Sequence, residues 1–251
     1  MEGDEAPSLT YYPAEKKRGR GAVIICPGGG YGGRAPHEGE AYALFLNSAG
    51  LDAFVLNYRV IPYEFPCQLL DARRAVRLIR SMAKELDLNP KKIAIMGSSA
   101  GGHLAAMTSS YREALPDEGV DSIDRLDPIP NGQILCYPVT ERDYEKDSYA
   151  NLLGERLEEL YETVVPKLIA DENTPPAFMW HTAEDSLIHV ANTYKYAARL
   201  TELGVPVELH VYPFGYHGLG LGNSEEYSHM RSWAKLLIKW LELFDFITEE
   251  V

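Results

Sequence analysis

Short runs that are apolar on both alternating faces recur along this sequence, each set off from the next by a longer stretch with helical periodicity. Ala22–Cys26, Asp52–Tyr58, Lys92–Gly97, Gly132–Tyr137, Ala177–Thr182 and Val207–Tyr212 read as strands. Glu38–Ala49, Gln68–Leu86, Gly101–Tyr111, Leu157–Ala170, Val190–Leu203 and Glu225–Phe246 read as helices. In Gln68–Leu86, Leu69, Ala72, Val76 and Ile79 recur at helical spacing, while Arg73, Arg74, Arg77 and Arg80 fill the other face. A strand that is apolar on both faces needs cover on both sides, and strand–helix alternation supplies it through parallel pairing. The expected class is therefore α/β, a mostly parallel sheet with helices on both faces. Ligands of such sheets sit beyond the carboxyl ends of the strands, so chemistry is sought in the residues just after each run.

The chain has 251 residues, and domains usually take about 100–200. With no internal repeat, low-complexity tract or Gly/Ser linker, one domain is the expected count. Two stretches are less regular: Arg112–Asn131, and Glu141–Pro176, which carries one helix and is a candidate small cap or cleft wall. A formal net charge of -13 repels phosphate backbones, which argues against nucleic acid and anionic membranes as partners. No apolar run approaches the roughly 18 residues of a membrane span. The acidic start Met1-Glu2-Gly3-Asp4-Glu5 has neither the basic flank nor the apolar stretch of an export signal, so a cytoplasmic protein is expected. The cysteines Cys26, Cys67 and Cys136 form no CxxC pair, which suits free thiols in a reducing compartment. No HExxH or comparable spacing implies a metal, and no cofactor is expected.

The strand Lys92–Gly97 runs directly into Gly97-Ser98-Ser99-Ala100-Gly101, and a helix follows. This is G-x-S-x-G at a strand-to-helix turn, where the crowded backbones demand glycine two positions either side of the serine. Ser99 Oγ would then stand at a helix N-terminus, which favours developing negative charge. Chance alone gives the pattern roughly once in ten chains of this length, so the strand and helix on either side carry the signal. A glycine-rich phosphate cradle is the rival reading. Ser98 lacks the symmetric glycines and reads as a decoy.

Cys26-Pro27-Gly28-Gly29-Gly30-Tyr31-Gly32-Gly33 follows the first of the apolar runs. A glycine triplet leaves N–H groups free to face a ligand, as an oxyanion hole requires, although an anion nest or a plain flexible loop has the same composition. A nucleophilic serine also needs a base and a carboxylate to orient it. His217, flanked by Gly215 and Gly218 after the last strand, is the candidate base; Asp185, just past the preceding strand, is the candidate acid. Glu184 and Asp143 are rival acids. Of the other histidines, His103 suits a structural hydrogen bond, His181 and His210 lie inside strands as core or surface residues, and His37, His189 and His229 have no catalytic context. Tyr31, Arg34, His37 and Glu38 are candidates to line the alcohol side of a substrate site, with a solvated helix start as their other reading.

The segments CPGGGYGG, NYRV (Asn57–Val60), GSSAGGHLA (Gly97–Ala105), HTAED (His181–Asp185) and GYHGLGL (Gly215–Leu221) together resemble the acetyl esterases of the α/β-hydrolase superfamily. The resemblance is greatest to the bacterial group of acetyl xylan esterases and bifunctional acetyl xylan/feruloyl esterases, and it spans about Gly21 to Leu241. It implies the α/β-hydrolase fold, with Ser99 as nucleophile, His217 as base and Asp185 as orienting acid. It also implies an oxyanion hole of backbone N–H groups from Gly29, Gly30 and Ala100. Relatives usually begin with two strands before the first of the apolar runs, and here Ser8–Pro13 has room for one. Many relatives carry Gly-Phe-Ser-Ala-Gly at the elbow, where this chain has Ser98. No large apolar lid is evident, so short acyl groups, chiefly acetyl, on sugars or similar polar alcohols are expected. The alternatives are a feruloyl esterase, a serine peptidase of the prolyl oligopeptidase type, and a binding module that has kept the fold without catalysis.

Overall fold

The computed structural model describes residues 6–116, 118–142, 147–222 and 225–248. Its strands are β1 (Ser8–Tyr12), β2 (Ala22–Cys26), β3 (Asp52–Asn57), β4 (Ile93–Ser98), β5 (Gly132–Cys136), β6 (Ala177–Thr182) and β7 (Val207–Tyr212). They form one 7-stranded sheet in the order β1-β3-β2-β4-β5-β6-β7. Every pair is parallel except β1 with β3, which is antiparallel. This is the α/β class read from the sequence. Among the described residues a single strand, β1, precedes β2, and it lies on the outer edge of the sheet.

The alternation of side chains along each strand sorts the core into two layers. Ile24, Ile95, Leu135 and Met179 point to one side, where they meet Leu69, Val76 and Ile79 of α2 (Cys67–Ser81), Leu104 of α3 (Ala100–Ser110) and Leu200 of α7 (Ala191–Glu202). Val23, Ile25, Met96, Ile134 and Trp180 point to the other, against Leu46 of α1 (Glu40–Ser48) and Trp233, Leu237 and Trp240 of α8 (Ser232–Leu243). Full burial of each such side chain contributes about 1.5–3 kcal/mol, so both layers hold the sheet flat against its helices. Among the described residues no helix is long and apolar enough to cross a membrane.

On the arginine face of α2, Arg73 and Arg77 are buried, and with Arg74 they bind Glu118, Asp121 and Asp124. Those ion pairs fasten the irregular stretch after α3 to the helix. The expected helix Leu157–Ala170 is broken into α5 (Leu157–Val164) and α6 (Pro166–Ile169). Pro166 is the cause, since the residue before a proline is driven out of helical geometry, and Val165 has ψ 114°. A further helix, α4 (Asp147–Leu153), precedes them, so the described residues of the excursion hold three α-helices where one helix was read.

Candidate active site

β4 ends in a sharp turn that places Ser99 at φ 54°, ψ -121°, a left-handed conformation costly for a residue with a side chain. Its surroundings hold it there. The Ser99 amide donates to Cys136 O (3.0 Å), and its carbonyl accepts from the His103 and Val139 amides. A Cβ on Gly97 would lie 2.0 Å from Gly101 O, and one on Gly101 would lie 2.0 Å from Cys26 O. Both positions therefore require glycine, which explains the spacing of the motif. Ser98 is fully buried beneath, with its hydroxyl on Tyr42 Oη.

The loops after β6 and β7 bring Asp185 and His217 to this turn. His217 Nε2 lies 2.8 Å from Ser99 Oγ, and His217 Nδ1 lies 2.6 Å from Asp185 Oδ2. Since a carboxylate only accepts, Nδ1 carries the proton and Nε2 accepts from the serine hydroxyl. Asp185 is buried, and its Oδ1 accepts from the amides of Leu187 (3.0 Å) and Ile188 (2.8 Å). Burial alone would push its carboxyl up. The hydrogen bonds from His181 and His217 and from the Ile188 amide outweigh that and hold it well below the usual carboxylate range.

His181 is the residue the sequence did not single out. It is buried on β6, and its Nε2 reaches both Ile188 O (2.8 Å) and Asp185 Oδ2 (3.2 Å), while Nδ1 meets Thr193 Oγ1 (2.7 Å). Because Ile188 O can only accept, Nε2 carries the proton. Asp185 Oδ2 thus receives a donor from a second histidine as well as from the one that touches the serine. The available signal was the burial implied by a strand position, because a buried imidazole needs partners. Of the rival acids, Glu184 accepts from the Gly215 amide (3.2 Å) and so ties down the loop bearing His217. Asp143 lies outside the described residues.

On the other side of Ser99, the glycine loop folds back on itself. The Gly32 and Gly33 amides donate to Gly29 O, and Asn151 Nδ2 on α4 donates to Gly30 O. Gly29 and Gly30 have φ 131° and 60°, values that favour glycine. Among the described residues the amides of Gly29, Gly30 and Ala100 donate to no protein acceptor, and Ala100 opens α3 at its positive dipole end.

A cavity of about 350 Å³ lies over Ser99, lined among others by His37, Glu38, Asp147, Ser148, Leu187 and Ile188. Two hollows of about 470 Å³ elsewhere do not include Ser99. Of the four candidate lining residues, His37 and Glu38 reach the cavity and two do not. Tyr31 is buried, with its hydroxyl 2.6 Å from His103 Nδ1, and Arg34 donates to Tyr58 O. Neither lines the cavity over Ser99. His103 Nε2 in turn donates to Val164 O. Burial lowers the pKa of this imidazole to about 4, against the opposing hydrogen bond to Val164. Among the described residues no group of three or more His, Cys, Asp and Glu side chains is arranged to hold a metal ion.

The BD-FAE family model matches residues 10–200. The chain is 38% identical over 230 residues to endo-1,4-beta-xylanase B of Butyrivibrio fibrisolvens, covering 88% of this chain and 36% of that protein. It is 32% identical over 241 residues to an acetylxylan esterase of Xylanibacter ruminicola, covering 90% and 46%. The chain therefore spans less than half the length of these two relatives. Among solved structures, an acetyl ester-xyloside bifunctional hydrolase from Caldicellulosiruptor lactoaceticus superposes with a TM-score of 0.91 at 40% identity, covering 98% of this chain and 90% of that one.

Proposed function

The chain belongs to the BD-FAE family of α/β-hydrolases, and from that premise we propose that it is a serine esterase that removes short acyl groups, chiefly acetyl, from carbohydrates. The observation that carries this reading is the continuous hydrogen-bonded chain Ser99–His217–Asp185, opening onto a cavity beside undonated amides. Ser99 Oγ attacks the ester carbonyl as His217 Nε2 takes its proton, and the carbonyl oxygen becomes an oxyanion facing the Gly29, Gly30 and Ala100 amides. The imidazolium then returns the proton to the departing alcohol oxygen as the C–O bond breaks. Water enters, gives a proton to the same nitrogen and attacks the acyl-serine; as the second oxyanion collapses, the bond to Ser99 Oγ breaks, the imidazolium returns its proton to that oxygen, and the acid leaves.

Asp185 remains ionised throughout, fixing the imidazole tautomer and stabilising the imidazolium. Removing one oxyanion donor from such a site costs about 3–4 kcal/mol of transition-state stabilisation, so the glycine loop matters almost as much as the side chains. The cavity sits at the small end of the usual range of roughly 300–1,000 Å³. His37, Asp147 and Ser148 on its wall offer hydrogen-bonding groups to a hydroxylated alcohol, while Leu187 and Ile188 give an apolar side that suits a small acyl group. The names of the similar proteins support acetylated xylan fragments as substrate. Acetate release from acetylated xylo-oligosaccharides tests this, alongside a chain-length series of 4-nitrophenyl esters. Preference for acetyl supports the reading; preference for octanoyl, or hydrolysis of peptides instead, overturns it.

A further inference from the structure

Glu38 reaches the cavity, but both of its carboxylate oxygens are occupied by the protein itself. Oε2 accepts from the Gly28 amide at 2.7 Å, and Oε1 accepts from Tyr137 Oη at 2.6 Å. These two partners belong to opposite halves of the site. Gly28 starts the glycine loop and packs against the nucleophile: a Cβ there would stand 3.0 Å from Ser99 Cβ and 2.6 Å from Glu38 Oε2. Tyr137 follows β5. Its ring meets the His217 ring edge-on, with centroids 5.0 Å apart, and its hydroxyl accepts from the Gly220 amide at 3.0 Å. The neighbouring His37 adds a second tie, its Nε2 donating to Gly218 O at 2.9 Å.

We infer that Glu38 and Tyr137 are positioning residues that lock the glycine loop and the His217 loop into one register around Ser99. The inference rests on the serine-esterase reading above. Glu38 and Tyr137 are both 2% exposed, and burying a carboxylate beside a proposed oxyanion site is costly on electrostatic grounds alone. A negative charge there would also oppose the oxyanion. Its geometric service to both loops is what offsets that cost: Glu38 fixes where the Gly29 and Gly30 amides begin, and Tyr137 fixes the imidazole ring and the loop behind it.

The two ideas predict opposite results for Glu38→Gln, which keeps the volume and removes the charge. If positioning dominates, kcat for 4-nitrophenyl acetate falls by about 10- to 100-fold with KM within about twofold, the scale of a small misalignment of reacting groups. Tyr137→Phe, which keeps the ring on His217 and deletes only the hydroxyl, should give a similar loss. Because both act through one connection, the double variant should be little worse than the poorer single one. An unchanged or raised kcat in Glu38→Gln, or losses that multiply in the double variant, would overturn the inference. The esterase reading fails separately, by absence of turnover and of fluorophosphonate labelling in the unaltered protein. In that event the low-field proton resonance of His217 Nδ1–H still decides the matter: coupling requires both variants to shift or broaden it, and an unmoved signal contradicts it.

Discussion

Around Asp185 each carboxylate oxygen accepts two hydrogen bonds, whereas on the far side of Ser99 the amides of Gly29, Gly30 and Ala100 donate to nothing among the described residues. Asp185 and Ala100 are buried, whereas Gly30 is half-buried and Gly29 exposed, so the acid side is closed and the glycine side is accessible. The acid–base half is already complete in the free protein, with one tautomer and one ring orientation imposed on His217. In the proposed mechanism the partner of the glycine half is an oxygen that carries charge only while the reaction is under way. Interactions made more strongly in the transition state than in the ground state are the ones that accelerate chemistry. In that mechanism the open donors stand where charge would form, and both oxygens of the Asp185 carboxylate on the other side are paired.

Asp185→Asn is the heaviest blow to the completed half. The amide can present either a donor or an acceptor to Nδ1, the tautomer is no longer dictated, and kcat should fall by about 10⁴-fold. Steady-state kinetics on a short acyl ester measures it; a loss below about tenfold would mean that the carboxylate does little for the imidazole. Gly101→Ala strikes the elbow shared by both halves. The new methyl meets backbone oxygens that have no flexible end to move aside, so the β2 end and the elbow must separate. Activity should drop about 100-fold with about 1–3 kcal/mol of stability, read from kinetics and urea unfolding together.

His181→Leu removes the second imidazole donor to Asp185 together with the contacts to Ile188 O and Thr193 Oγ1. A charge-assisted hydrogen bond contributes about 1.5–3 kcal/mol, so kcat should fall roughly tenfold or more while KM stays put. If stability falls with kcat unchanged, His181 belongs to the core alone. His103 supplies the smallest effect, and it concerns stability rather than catalysis. Its folded pKa is lowered to about 4 by burial from an ordinary 6.5. Below an unfolded pKa near 6.5 the unfolded chain takes up a proton that the folded protein refuses until about pH 4, so stability is full at neutral pH and declines across that interval. The decline should be on the order of 3 kcal/mol and should be missing from His103→Gln, as compared by urea unfolding at about pH 7 and about pH 4.

How much of this was legible in the sequence differs between the scaffold and the site. The parallel strands could be read because both of their faces are buried, which leaves an uninterrupted apolar run such as Val23-Ile24-Ile25. Ser99, Asp185 and His217 could be read because each follows a strand at the same sheet edge, and Ser99 stands between glycines whose extra methyl would strike backbone oxygens. What was not legible depends on contacts across the chain. His181 and Tyr137 look like ordinary strand and post-strand residues until Asp185 and Glu38 are folded onto them. The arginines of α2 look like a wet helix face until the 111–131 stretch is laid over it. Local pattern reports periodicity and turns; it does not report which buried polar group will find which partner. The break at Pro166 is the exception, since its cause stood in plain view.

The central claim is that Ser99 is the nucleophile that carries the acyl group. A fluorophosphonate probe followed by peptide mass mapping tests it most directly, with 4-nitrophenyl acetate turnover measured in parallel. The account predicts a single labelled peptide carrying the adduct on Ser99, and neither labelling nor turnover in a folded Ser99→Ala variant. Turnover that survives in Ser99→Ala, or an adduct found on another residue, would contradict it.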